Sequence, residues 1–143
     1  MRRKGMVLAA VLLCGLLVIF LPRGDRKERA ARYVRQNREE LEQLVEALAE
    51  GGDIPAAYNG WPVSRRADIG MVTFETGASG LVPSSAYWGF YYSPENTPLP
   101  VMGAEEMAYA PSGDGWRWEE PDGDNWAYTE ELLEGWFWYE MHF

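Results

Sequence analysis

Gly113-Asp114-Gly115-Trp116-Arg117-Trp118-Glu119-Glu120, Gly123-Asp124-Asn125-Trp126-Ala127-Tyr128-Thr129-Glu130 and Leu133-Glu134-Gly135-Trp136-Phe137-Trp138-Tyr139-Glu140 are three ungapped copies of one pattern. Trp recurs at 116, 126 and 136, an aromatic at 118, 128 and 138, and Glu at 120, 130 and 140. Each copy reads as a turn followed by a strand, so the three predict a three-stranded meander. Pairing Glu120 with Trp126 sets Trp118 opposite Tyr128, and the next hairpin sets Trp138 opposite Tyr128. Because side chains alternate along a strand, all nine repeat residues then share one sheet face. Arg117, Glu119, Ala127 and Thr129 belong to the other face and suit water, which turns the Trp face inward. Two of Trp116, Trp126 and Trp136 at least are therefore expected to be buried.

That register leaves two candidate binding features. A row of Trp116, Trp118, Trp126, Tyr128, Trp136 and Trp138, if open, is a sugar-stacking platform. In the last strand Phe137, Tyr139, Met141 and Phe143 make the second face apolar as well. Earlier strands cover it, or it is an exposed interaction patch.

Upstream, residues 53–143 keep the same texture of short aromatic and β-branched runs broken by Gly, Pro, Asn and Asp. Val72 and Phe74 alternate with Thr73 and Glu75, and Tyr87 to Tyr92 is apolar on both faces, as a central strand is. About five to seven antiparallel strands are expected. Before them, residues 23–52 form an amphipathic helix from Asp25 to Glu50, stopped by Gly51-Gly52. Ala30, Val34, Asn37, Leu41, Leu44 and Leu48 fall at heptad spacing; the stripe packs on the protein's own sheet or on a second copy.

Residues 1–22 hold the anchor. Met6 to Leu21 is sixteen residues without a charge, about 24 Å as a helix, just short of a bilayer core. Flanking Arg3, Lys4 and Arg23 can snorkel to the headgroups. Phe20-Leu21-Pro22-Arg23 offers no small-x-small cleavage site, and Leu13 before Cys14 does not fit a lipoprotein signal. The fold class is α+β: a transmembrane helix continuing into an amphipathic helix, then an antiparallel meander. The short basic N-terminus is expected inside, placing a single-pass protein in the cell membrane with its C-terminal domain extracytoplasmic. The seven Lys/Arg between Arg23 and Arg38 pull the other way.

Charge and composition exclude several functions. Residues 53–143 hold fifteen Asp/Glu against Arg65, Arg66 and Arg117, a net of −12, which repels phosphate backbones and argues against nucleic acid. The only cysteine, Cys14, lies in the apolar run, and the only histidine is His142. Neither a disulfide nor a His-based triad is expected in the domain. Glu119 to Asn125 lacks the alternating oxygens and distal Glu of a calcium loop. No catalytic, metal or cofactor residue is assigned. Arg23-Gly24-Asp25 is an adhesion tripeptide too close to the bilayer to serve as one.

Leu81-Val82-Pro83-Ser84-Ser85, Gly89-Phe90-Tyr91-Tyr92-Ser93-Pro94 and the Gly123-Asp124-Asn125-Trp126 to Trp136-Phe137-Trp138-Tyr139-Glu140 ending carry a resemblance. Over Gly80 to Phe143, slightly under half of the chain, it resembles small, uncharacterised single-pass membrane-anchored proteins of Gram-positive anaerobes. That resemblance implies an anchored topology and no activity. The Gly-Trp units are also superficially similar to hairpins of cell-wall choline-binding modules, which repeat over about twice this length, so no ligand residues carry over. An anchor running into a helix and a sheet resembles a pilin, but the Glu expected five residues after the processing Gly is missing at Gly5. The chain is thus read as a membrane-anchored, non-catalytic interaction domain with an unknown protein partner. The alternative is cell-envelope glycan binding through the Trp/Tyr face.

Overall fold

The computed structural model describes residues 23–81, 83–101 and 108–143. Two helices, α1 (Arg23–Gln36) and α2 (Arg38–Ala49), precede eight strands. These are β1 (Ala57–Tyr58), β2 (Trp61–Arg66), β3 (Met71–Leu81), β4 (Ser84–Tyr92), β5 (Ala110–Ser112), β6 (Gly115–Glu119), β7 (Trp126–Leu133) and β8 (Trp136–His142). No helix among the described residues is long and apolar enough to cross a membrane; the expected anchor, Met6 to Leu21, lies outside them.

The α+β antiparallel architecture holds, with two corrections. Eight strands form the sheet rather than five to seven, in the order β1-β2-β3-β4-β8-β7-β6-β5. They are two four-stranded meanders joined along β4 and β8, not one continuous run. The chain leaves the sheet centre at Tyr92 and next pairs at the far edge, at Ala110. Both edge strands are short, which limits the unpaired backbone they present.

The helix is broken where its heptad stripe is polar. Asn37 sits between α1 and α2 at φ −115°, ψ 20°, and its Nδ2 donates to the Tyr33 carbonyl at 2.8 Å. A side-chain amide competing for a helix carbonyl favours such an interruption. α2 ends on the expected glycines: Gly51 adopts φ 93°, Gly52 N–H reaches the Ala47 carbonyl at 2.9 Å and Gly51 N–H the Leu48 carbonyl at 3.2 Å. This paired closure needs a left-handed residue, which glycine supplies without steric cost.

The helical stripe packs on the protein's own sheet. Ala30, Val34, Leu41, Val45 and Leu48 are buried against Val72, Phe74, Phe90, Trp136 and Trp138, and Phe74 stacks on Phe90 with ring centroids 4.8 Å apart. The opposite sheet face buries Met71, Tyr91, Ala127, Phe137, Tyr139 and Met141 under Leu99, Val101, Tyr109, Trp116 and Trp118. β8 is therefore covered on both sides.

The register of the repeat departs from expectation. Glu119, not Glu120, faces Trp126, and Trp118 faces Ala127. Glu120 is drawn into the loop, where its N–H donates to the Asn125 carbonyl at 2.9 Å. A one-residue slip exchanges the faces of a whole strand, so the nine repeat residues do not share one face. Trp116 and Trp118 join the second core, while Trp126, Tyr128 and Trp138 project to the helix side. In the next hairpin Tyr128 pairs Glu140 instead of Trp138, with an irregularity between Glu131 and Leu133. Ala127 and Thr129, expected in water, are both fully buried.

Candidate functional site

Of the six aromatics expected to form a platform, three meet in one place. Trp126, Tyr128 and Trp138 line a cleft of about 280 Å³ with Lys27, Arg117, Glu130 and Glu140. β7 supplies Trp126, Tyr128 and Glu130 at alternate positions, β8 supplies Trp138 and Glu140, and α1 brings Lys27 down from above. Trp116 and Trp118 are on the far face, and Trp136 is sealed beneath the helices. Only Trp136 of the three repeat-leading indoles is fully buried; Trp116 and Trp126 are half-buried. The expectation that at least two would be buried fails, because the register slip and the cleft leave Trp116 and Trp126 at the margins.

Charges in the cleft are engaged internally. The Lys27 ammonium lies 2.8 Å from each Glu130 oxygen. The Tyr128 hydroxyl donates to Glu130 Oε2 at 2.7 Å. Burial, then the hydrogen bond and charge of Glu130, raise the Tyr128 pKa above its ordinary value, so the phenol is held protonated. Glu140 lies 2.9 Å from His142 Nε2, and Arg117 Nε donates to Glu119 at 2.6 Å. Such a group set suits polar and stacking contacts.

Trp126 itself is flanked on its ring faces. The Arg117 guanidinium lies 4.3 Å from its ring centroid, and the His142 ring stacks on it at 4.0 Å with an interplanar angle of 17°. Arg117 comes from β6 and His142 from β8, the strands on either side of β7. Both faces of the indole are thereby occupied by the protein's own side chains, and a flat open row for sugar stacking is not formed.

The second candidate, Phe137, Tyr139, Met141 and Phe143, is also corrected. Phe137, Tyr139 and Met141 are almost completely enclosed and Phe143 is half-buried. The segment through Leu99 and Val101, with Tyr109, Trp116 and Trp118, covers them; these residues are core, not surface.

A feature not anticipated from sequence is a groove of about 680 Å³ beside the end of α2. Val45, Leu48, Val72, Tyr92 and Pro94 give it an apolar floor, and Glu42 and Glu46 stand on its helical side. Arg65 on its sheet side donates to the Leu48 carbonyl at the helix end. The apolar character of Val45 and Leu48 was legible, but the groove beside them depends on Arg65, Val72, Tyr92 and Pro94, which are distant in sequence. Among the described residues, no group of three or more His, Cys, Asp or Glu is placed to hold a metal ion.

Comparison of the chain with protein-family models, curated proteins and solved structures returns no match.

Proposed function

We propose that the protein is a membrane-anchored, non-catalytic interaction domain that receives a protein partner in the groove beside α2. The observation that carries this reading is the groove itself: an apolar floor bordered by Glu42 and Glu46 in a domain with strong negative charge. It suits an exposed segment that offers apolar and basic side chains. Its position supports the same reading. The apolar run ends at Leu21 in the sequence, nine residues before the buried stripe of α1 starts at Ala30, so few residues separate the expected anchor from the domain. Arg26 and Lys27 approach Trp88 and Glu130, whereas Leu48 approaches Arg65 near Val72 and Tyr92. The groove thus sits at the end of the domain away from the anchor junction.

Glycan binding keeps a narrower basis. Its six-residue platform is divided between two faces, and what supports it is the small cleft at Tyr128 and Glu130. Crosslinking and co-purification from native membranes discriminates the readings. A stoichiometric protein, lost in Glu46→Arg or Ala49→Arg while the melting temperature is unchanged, is the expected outcome. Enrichment of wall glycan without a protein would replace the first reading by the second. Orientation is tested with protease on intact cells, which should digest an extracytoplasmic domain without lysis.

A further inference from the structure

We infer that the β3–β4 hairpin is a second membrane contact, its tip at Leu81 entering the headgroup–acyl boundary beside the anchor. The inference rests on the anchored reading above and concerns a different part of the domain from the groove.

Composition singles the hairpin out. No Asp, Glu, Lys, Arg or His occurs from Thr76 through Pro94, in a domain otherwise dense in carboxylates. The residues nearest the tip are Ala78, Ser79, Gly80, Ser84, Ser85 and Ala86, small and uncharged. Leu81 pairs with Ser84 at the end of the ladder and is 87% exposed, against 41% for Ile54, the other exposed large apolar side chain among the described residues. Among the described residues it is the most exposed large apolar side chain. A single exposed leucine is ordinary; one at the end of a long uncharged hairpin is unusual.

Geometry gives the tip its direction. The Arg26 guanidinium lies 3.9 Å from the Trp88 ring, and about two turns later Tyr33 meets Phe90 at 6.2 Å. Passing from Arg26 to Tyr33 therefore follows β4 from Trp88 to Phe90, and the N-terminal direction of α1 is the direction of the hairpin tip. From Trp88 to Ser84 the strand advances four residues, about 13 Å. From Arg26 to Arg23 the helix advances three residues, about 4.5 Å. The tip consequently projects past Arg23, on the side from which the chain enters α1.

The side chains behind the tip are those an interface favours. Tyr87 and Trp88 are half-buried and lie three to four residues behind Ser84, where amphipathic rings sit at headgroup level. The Trp88 indole covers Gly77 so closely that a Cβ there would meet the ring at 2.6 Å, which fixes the ring across the ladder. Arg26 and Arg29 border the same surface and can reach phosphates. The acidic β6–β7 loop, with Glu120, Asp122 and Asp124, emerges at this end too, since Trp126, His142 and Ala86 lie in register. It disfavours an anionic surface, so the contact at Leu81 is apolar in origin and belongs in a zwitterionic bilayer.

The test uses the full chain with Cys14→Ala and a single environment-sensitive fluorophore at Leu81→Cys or, at the other end of β4, Glu95→Cys. Near-ultraviolet circular dichroism matching the parent establishes that each labelled chain is folded. After reconstitution into phosphatidylcholine vesicles, the chain should co-float with lipid. The label at 81 should then shift to the blue and be quenched by spin-labelled lipid, and the label at 95 should do neither. A chain that floats with a water-like label at 81 overturns the hairpin contact alone. Quenching at both positions overturns it as well, because the domain would then lie flat. A chain that fails to float overturns the anchored reading and the hairpin contact together.

Discussion

The two faces of β8 are covered in different ways, and the difference shows what each covering element needs. Toward the helices, Trp136 and Trp138 meet Phe90 and Phe74 beneath Val34, Leu41 and Leu48. A helix satisfies its own backbone, so apolar contact suffices there. On the other side Phe137, Tyr139 and Met141 lie under an irregular segment through Leu99 and Val101. Irregular chain brings unpaired amides, and this side accordingly contains a relay of hydroxyls. Leu99 N–H donates to the Tyr91 oxygen at 3.0 Å, Tyr91 lies 2.8 Å from Thr129 Oγ1, and Thr129 donates to the Trp138 carbonyl at 2.8 Å. Over the middle of β8 one face is an apolar seam, with Lys27 and Arg65 bonding at its margins; the other is stitched through its centre.

The largest effect that tests this contrast belongs to the helix side. Trp136 is fully buried and touches Phe74, Phe90 and Tyr92. Trp136→Ala should cost about 3–5 kcal/mol, the usual range for emptying a buried aromatic site. That is a large part of the stability of a small domain. Denaturant melts of the parent and the variant measure it. A loss below about 1 kcal/mol would mean that the helices do not cover the main core.

The stitched face should reveal itself in alkali. Burial pushes the Tyr91 phenol up to about 12 from 10.0, opposed by its hydrogen bonds with Thr129 and Leu99. Burial also raises Tyr109 and Tyr139. A phenol raised on folding binds its proton more tightly in the native state, so its contribution is intact below pH 10 and lost as pH rises to about 12. For Tyr91 alone the rise corresponds to on the order of 2–3 kcal/mol. Stability measured from pH 8 to 12 should be level to about 10 and then fall. Tyr128 and Tyr58 on the helix side are raised too, so Tyr91→Phe isolates the stitched face: the fall should become shallower. An unchanged profile in that variant would remove Tyr91 from the argument.

How much of this was legible in sequence depends on the range of the interaction concerned. The helical stripe, its stop at Gly51-Gly52 and the central strand Tyr87 to Tyr92 follow from local pattern, and the structure contains them. β1 and β5 have two and three residues, too short for any alternation to register. The register of the repeat turned on one backbone bond, Glu120 to Asn125, that no side-chain pattern encodes. Its slip moved Trp116 and Trp118 to the other face. In the cleft, Trp126, Tyr128 and Trp138 were legible only as half of a six-residue face, which the structure divides. Lys27 was not, since its partner Glu130 lies 103 residues away and nothing near either residue marks the pairing. The covering of Phe137, Tyr139 and Met141 was equally nonlocal, supplied by a segment with no strand pattern of its own.

The smallest effect concerns Trp126, which has the same place in its repeat unit as Trp136 and a different environment. Its indole is half-buried and held between Arg117 and His142, so water can enter the space left by truncation and little cavity penalty arises. What Trp126→Ala removes is a stacked pair and an exposed cation–π contact, each worth about 0.5–1.5 kcal/mol or less. A loss of about 1 kcal/mol is expected, several-fold below that of Trp136→Ala. The same variant bears on sugar binding: with both indole faces occupied, its removal should leave retention on wall glycan unchanged. Abolished retention with an intact melting temperature would show that Arg117 or His142 yields its place to a sugar, and would put glycan recognition ahead of the protein partner. A loss as large as that of Trp136→Ala would instead mean that the middle unit is core after all, and that the contrast between the two indoles is not real.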